Sequence, residues 1–116
     1  TITEQMQIMQ DHLSIDASIE MLEDIGSDKD ATNAMVSLYK EQNIDKLLNL
    51  LKGASYMNST AYEEFVVIRN NNWVKKMPEL MNKNSVFFAV GAAHLGSNDG
   101  ILELLRLKGY QVEAVK

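Results

Sequence analysis

Cysteine is missing from all 116 residues of the sequence. A disulfide framework and a thiolate metal site are therefore both excluded, and any metal ion would have to bind through histidine and carboxylate groups. The absence of cysteine does not by itself identify the cellular compartment.

Basic residues and long hydrophobic runs are also scarce. The sequence has 11 Lys and Arg against 16 Asp and Glu, which gives a net charge of −5, and it has no basic cluster to displace counterions from phosphates. We therefore expect no nucleic-acid partner. Since no apolar run approaches the roughly 20 residues that a membrane helix needs, we predict no membrane span in this segment. The sequence begins at Thr1 without an initiator methionine, and we interpret it as a piece of a longer protein.

Most of the chain has the apolar periodicity of helices. The content of 46% apolar and 23% charged residues is ordinary for a single globular domain, here residues 1–116. Apolar residues at helical spacing predict helices from residue 3, over 30–41, over 44–52 and from 61 to about 80. Gly53 is placed for a left-handed helix cap, and Pro78 is expected to interrupt the last helix near Met77. We therefore predict a helical segment over residues 1–82.

Residues 83–116 have a different pattern. Two apolar runs, over 86–90 and 110–115, predict strands that flank a loop over 91–99 and a short helix over 100–108, with Gly109 as its cap. The predicted fold class is therefore α+β, mostly helical, with a C-terminal strand-loop-helix-strand unit. Two strands are too few to cover such apolar faces. We expect missing strands to complete the sheet, or a second copy of the chain to do so in a homodimer.

His94 is the first candidate for chemistry, because it lies just past the end of the first predicted strand in the run Gly91-Ala92-Ala93-His94. A neutral imidazole there could bind a metal or act as a general base. It could equally be a loop histidine that caps the next helix or bonds a nearby carbonyl. Position alone does not decide between these roles.

The loop over 91–100 is glycine-rich and precedes a helix, so its backbone N–H groups could hold an anion. Its glycines lack the G-x-G-x-x-G spacing and no Walker lysine follows, which disfavours nucleotide binding. Gly91 permits close backbone approach. Asp99 is a further candidate, although a favourable charge at the start of the helix would also explain it.

Arg69 and Asn70 form the second candidate site, in the apolar stretch VVIRNNNW. A guanidinium in such a stretch usually meets a carboxylate or phosphate through its paired donors. Arg69 could orient a substrate carboxylate or hold a catalytic acid, or it could form a structural salt bridge with Glu63 or Glu64. Trp73 is most simply a core or interface anchor.

Several of these motifs together resemble the C-terminal part of the TraB/GumN family. They are an Arg-Asn pair, a tryptophan three residues after the Asn, a G-x-x-H-L sequence after an apolar run, and a final L-x-x-x-G-Y. The similarity runs over about residues 62–115, and TEQMQIM near the start resembles the segment that follows the first half of the family fold. The chain departs from the family after Leu95, where it has Gly-Ser-Asn-Asp-Gly and many members have a Pro-Gly-Glu-like sequence.

The resemblance implies that the chain is a fragment of a larger two-part α/β fold, related to the haem-uptake protein ChaN and to erythromycin esterases, with the active cleft between the halves. Animal Tiki proteins of this family are metal-dependent proteases with two G-x-x-H motifs, an acidic residue and an arginine. Residues 91–94 match the second G-x-x-H, and Arg69 matches the arginine. His94 is then a metal ligand as well as a catalytic residue.

Two functions follow as hypotheses. In the first, the chain is the C-terminal domain of a bacterial envelope or periplasmic metal-dependent hydrolase, most simply a peptidase, whose N-terminal half supplies the other motifs. A divalent metal is then expected in the full-length protein, and neither metal nor activity in this fragment alone, which has one candidate histidine. In the second, the chain is a non-enzymatic helical binding module of the cell envelope.

Overall fold

A computed structural model of the chain describes residues 2–12, 15, 19, 28–54 and 57–115. Within these residues all regular secondary structure is helical. The α-helices are α1 (Ile2–His12), α2 (Asp28–Lys40), α3 (Ile44–Lys52), α4 (Ser59–Tyr62), α5 (Ile68–Met81) and α6 (Ile101–Leu107). A π-helical stretch (Glu63–Val67) joins α4 to α5, and a single 3₁₀ turn (Ala92–His94) lies before α6. No helix in the described part of the chain is long and apolar enough to cross a membrane.

Helix α3 confirms the prediction over 44–52. Its apolar residues recur at helical spacing and bury Leu47 and Leu48, and the Asn43 side chain caps its first turn by accepting a hydrogen bond from the Lys46 backbone N–H at 3.1 Å. The predicted left-handed cap at Gly53 is wrong, since Gly53 has a right-handed backbone at φ −81° and ψ −10°. The helix therefore ends without requiring glycine there.

The long helix predicted from residue 61 to about 80 exists as α4, the π-helical stretch and α5. In the π-helical stretch the Ile68 N–H donates to the Glu63 carbonyl, five residues back. The predicted interruption near Met77 is wrong, because α5 continues past Pro78 to Met81. A proline inside a helix removes its own N–H from the hydrogen-bond ladder, and its ring crowds the carbonyl four residues back. Val74 and Met77 bury their side chains just before it, and this packing outweighs the loss.

Packing between α5 and α6 forms an apolar core beside the candidate loop. Its buried members are Val74, Met77 and Ile101. Partly buried apolar side chains surround them, from Trp73, Met81, Phe88, Val90, Leu104 and Leu105. Since Phe88 and Val90 come from the segment before the 3₁₀ turn, this core fixes where the turn begins.

The predicted α+β fold class is wrong for the described residues, because no strand or sheet is present in them. Residues 86–90 and 110–115 are the predicted strands, and both lack regular structure. Phe87 is 91% exposed and Val115 97% exposed. Apolar, β-branched sequences favour a strand, but the ladder exists only when a neighbouring strand accepts its N–H groups. The homodimer prediction depended on these two strands and so loses its basis.

The helix within the predicted C-terminal unit is nevertheless confirmed as α6. Gly109 adopts φ +87°. Its N–H donates to the Arg106 carbonyl at 2.8 Å, and the Tyr110 N–H donates to the Leu105 carbonyl at 3.1 Å. These two bonds form a Schellman motif, in which a left-handed residue satisfies the last carbonyls of a helix. The sequence signal at Gly109 was therefore sufficient to locate the end of α6.

Candidate functional site

His94 is the last residue of a 3₁₀ turn and does not follow the strand that the sequence predicts. Gly91 has an extended backbone, and its carbonyl accepts the His94 N–H at 2.9 Å, while Ala92 accepts the Leu95 N–H at 3.0 Å. An alanine Cβ at Gly91 would lie 3.7 Å from the His94 ring, which is ordinary contact. The turn thus fixes the His94 backbone, and lack of space does not explain the glycine at position 91.

Two buried glycines, Gly96 and Gly100, allow the loop that carries His94 to pack closely. A Cβ at Gly96 would lie 3.1 Å from the Asp45 carboxylate, so the loop backbone touches the first turn of α3. The Ser97 N–H also donates to that carboxylate at 3.4 Å, and Ser97 has a positive φ of 67°. A Cβ at Gly100 would overlap the loop's own carbonyl oxygens. The loop that carries His94 is therefore closely packed.

Asn70 joins α5 to this loop through three hydrogen bonds, and it is fully buried. Its Nδ2 donates to the Asp99 carbonyl at 2.7 Å and to the His94 carbonyl at 3.3 Å. Its Oδ1 lies 2.8 Å from Nδ1 of the His94 ring. The structure thus brings together the predicted candidates Asn70 and His94, whereas Asp99 contributes its backbone carbonyl to the site.

An aromatic ring connects His94 to Arg69. The Trp73 ring lies 4.8 Å from the His94 ring at an interplanar angle of 58°, and the Arg69 guanidinium carbon lies 4.9 Å from the centre of the Trp73 ring. Arg69 also donates to the Phe65 carbonyl at 3.4 Å. The guanidinium, which is only partly buried, therefore lies over an aromatic face, where a cation–π contact contributes on the order of 1 kcal/mol.

The pKa of His94 is lowered from its ordinary value, first by burial of the ring and second by the positive charge of Arg69. The imidazole is thus neutral at neutral pH, as a metal ligand or general base must be. Because the unfolded chain takes up the proton at higher pH than the folded one, this group's stabilising contribution is complete above the unfolded pKa. It is lost as the pH falls towards the folded pKa.

Removing the positive charge of Arg69 should raise the pKa of His94. In Arg69→Gln the guanidinium no longer repels the protonated imidazole. Burial of the ring, which is the larger cause of the lowered pKa, remains. We expect an NMR titration of the His94 ring protons to show a pKa that moves part of the way back to the ordinary histidine value. Lys76→Gln is the matched control, since it removes a charge from an exposed position on the same helix. A control shift as large as that in Arg69→Gln would contradict the assignment to Arg69.

The described residues do not complete a metal site. No group of three His, Cys, Asp or Glu side chains close enough to hold a metal ion exists among them. A catalytic zinc site typically uses three protein ligands and an open position. His94 can supply one such ligand. The described part of the chain can therefore provide only part of a metal centre.

The sequence interpretation missed the part that Trp73 plays beside His94. Helix spacing contained the signal, because Arg69 and Asn70 precede Trp73 by four and three residues and such pairs share a helix face. The contact of Asp45 with the loop had no comparable signal, since 52 residues separate Asp45 from Ser97.

A neutral, half-buried imidazole can act as a general base or as a metal ligand. Comparison with known proteins identifies the family. Residues 1–114 match the sequence model of the TraB/PrgY/gumN family, and the chain belongs to that family. It is 35% identical over 63 residues to "Metalloprotease TIKI2" of Danio rerio. That match covers 52% of this chain and only 12% of the relative. No solved structure matches the chain.

Proposed function

We propose that the chain is the C-terminal part of a metal-dependent hydrolase, a peptidase, in which His94 is one ligand of a divalent metal. The observation that carries this proposal is the state of the His94 ring. It is neutral, its Nδ1 is bonded to Asn70, and its Nε2 remains for a ligand. Family membership and the match to a metalloprotease support the same activity.

Arg69 has the role of binding a carboxylate of the peptide substrate or of a catalytic acid. Its guanidinium lies over the Trp73 ring and donates to one backbone carbonyl, out of the five N–H groups that an arginine carries. These two contacts restrict the guanidinium, and its remaining N–H groups can pair with a carboxylate. Its positive charge adds to the burial of the His94 ring in lowering the pKa of that imidazole.

The N-terminal half of the same protein is the proposed partner, and it supplies the remaining metal ligands. On this proposal the isolated chain is inactive, because one imidazole does not hold a catalytic metal. Exposed apolar side chains such as Phe87 and Leu107, 91% and 74% exposed, offer a surface for that half to cover. A place at the bacterial envelope also belongs to the proposal, and it is based on the family resemblance alone.

The test is peptide hydrolysis by the full-length protein with added divalent metal. We expect His94→Ala to lower kcat/KM by at least about 100-fold, the contribution typical of a directly acting acid–base or ligand group. His12→Ala is the matched control, since the sequence has two histidines and His12 is the other one. Removal of metal with a chelator should abolish hydrolysis, and readdition should restore it.

Two results would contradict the proposal. One is a confirmed activity that His94→Ala leaves at the level of His12→Ala. The other is a folded, metal-supplemented full-length protein that hydrolyses no peptide in a diverse peptide library. The second result would favour the non-enzymatic binding module.

A further inference from the structure

Asn70 is the only polar residue among the fully buried side chains of the described residues. Asparagine in the middle of a helix has a poor intrinsic propensity, and burying its amide requires partners for both the oxygen and the nitrogen. All of its side-chain partners come from the His94 loop, 24 and 29 residues away in sequence. The amide therefore interacts with this loop rather than with its own helix.

The partners of Asn70 fix which way its amide faces. Its Nδ2 lies next to the carbonyl oxygens of His94 and Asp99, and carbonyl oxygens only accept hydrogen bonds. An oxygen in that position would face two acceptors, so the nitrogen must occupy it. The remaining atom, Oδ1, then faces Nδ1 of His94 at 2.8 Å.

The state of the His94 ring follows from that orientation. Because Oδ1 can only accept, the proton of this hydrogen bond must be on Nδ1 of the imidazole. In a neutral ring the lone pair is then on Nε2. Free histidine prefers the opposite tautomer, with the proton on Nε2, so the protein imposes this state.

We propose that Asn70 is a positioning residue that holds His94 in the Nδ1–H tautomer and presents the Nε2 lone pair to a metal or a substrate proton. This inference deepens the proposed function and depends on it for the role of Nε2. The same amide holds the loop at two points, because its two Nδ2–H groups donate to the carbonyls of residues 94 and 99. Trp73 lies against the ring and restricts its rotation.

The tautomer is measurable without any reaction. In the metal-free full-length protein labelled with ¹⁵N at histidine, two-bond ¹H–¹⁵N correlations above the pKa should show a protonated Nδ1 and an unprotonated Nε2 for His94. Asn70→Ala should remove this pattern. Asn70→Asp should retain it, because a carboxylate also accepts from Nδ1–H, although it cannot donate to the two carbonyls. Asn72→Ala, at an exposed position of α5, is the matched control and should leave the spectrum unchanged.

Affinity for Zn²⁺, measured by titration calorimetry, separates this inference from the proposed function. We expect Asn70→Ala to weaken binding by about 10–100-fold, as losses of outer-shell partners of a metal-bound histidine do, and Asn70→Asp to restore part of it. If His94→Ala leaves Zn²⁺ affinity intact, the proposed function is wrong while the tautomer result still stands.

The inference on Asn70 is overturned by either of two results. One is a native spectrum with the proton on Nε2. The other is an Asn70→Ala protein that keeps both the native tautomer and the Zn²⁺ affinity of the Asn72→Ala control. If Asn70→Ala does not fold, the native spectrum still decides, because a proton on Nε2 overturns the inference and a proton on Nδ1 supports it.

Discussion

Gly100→Ala is expected to destabilise the protein by about 4 kcal/mol or more, at the upper end of what single substitutions cause. The new Cβ would overlap the carbonyl oxygens of Leu95 and Gly96, which belong to the backbone of the His94 loop and are not flexible side chains. The loop would have to move, and it could no longer keep both its contact with Asp45 and its bonds to Asn70. Urea unfolding of the full-length protein, followed by circular dichroism, measures this loss.

Gly53→Ala is the matched control for that substitution. Gly53 has a helical backbone, and a Cβ there would lie 3.5 Å from the nearest carbonyl oxygens, at ordinary contact distance. The substitution should be neutral or stabilise the protein by roughly 0.4–1 kcal/mol, since alanine restricts the unfolded chain. Equal stabilities for the two variants would show that the loop does not pack as described.

Asn70→Ala is expected to lower the free energy of unfolding by about 3 kcal/mol. It leaves two loop carbonyls and the Nδ1–H of His94 without their partner, and each unsatisfied buried polar group costs on the order of 1–3 kcal/mol. Entry of water into the vacated space would offset part of this cost. Equilibrium unfolding in urea, with an unchanged m-value, is the appropriate measurement.

Asn72→Ala changes the same side chain two residues further along α5. Asn72 is exposed, and alanine has the higher helix propensity, so the variant should remain within about 0.5 kcal/mol of the native protein or gain slightly. A similar loss in both variants would mean that helix α5, and not the bonds to the loop, accounts for the effect of Asn70→Ala.

The helices could be predicted because their signals are local. Asn43 and the apolar residues at positions 44, 47, 48 and 51 specify α3 within ten residues of sequence, and Gly109 ends α6 through a left-handed conformation that satisfies its last carbonyls. The failure at Pro78 has a different origin. Proline's effect on an isolated helix is local, whereas the burial of Val74 and Met77 against Ile101 is tertiary.

The strands could not be predicted correctly from their residues. Val86, Phe87 and Phe88 have strong strand propensity, but propensity describes a residue's fit to a pleated surface, and it supplies no neighbour for the backbone. A helix satisfies its own N–H groups, while a strand depends on a partner that its sequence does not contain. This difference explains why α6 agrees with its prediction and residues 86–90 do not.

For the site, the sequence indicated which residues to examine but not how they interact. Arg69, Asn70 and His94 were all candidates, and the structure brings Asn70 and His94 into contact and places Arg69 over the ring of Trp73. Asp99 was expected to act through its charge, and its backbone carbonyl accepts a bond from Asn70 instead. Such roles depend on which atoms of distant residues meet, and residue identity alone does not specify this.

The π-helical stretch before α5 makes the direction of Asn70 independent of one residue of chain length. The hydrogen bond from the Ile68 N–H to the Glu63 carbonyl closes a turn that holds one residue more than an α-helical turn. Because the wide turn absorbs this residue, deleting one residue here would give a regular α-helix and leave Asn70 facing the loop. A deletion after Ile68 would instead rotate the residues that follow it by about 100°. Relatives that retain the histidine turn are therefore expected to tolerate a one-residue gap within residues 63–67 but none over residues 68–70.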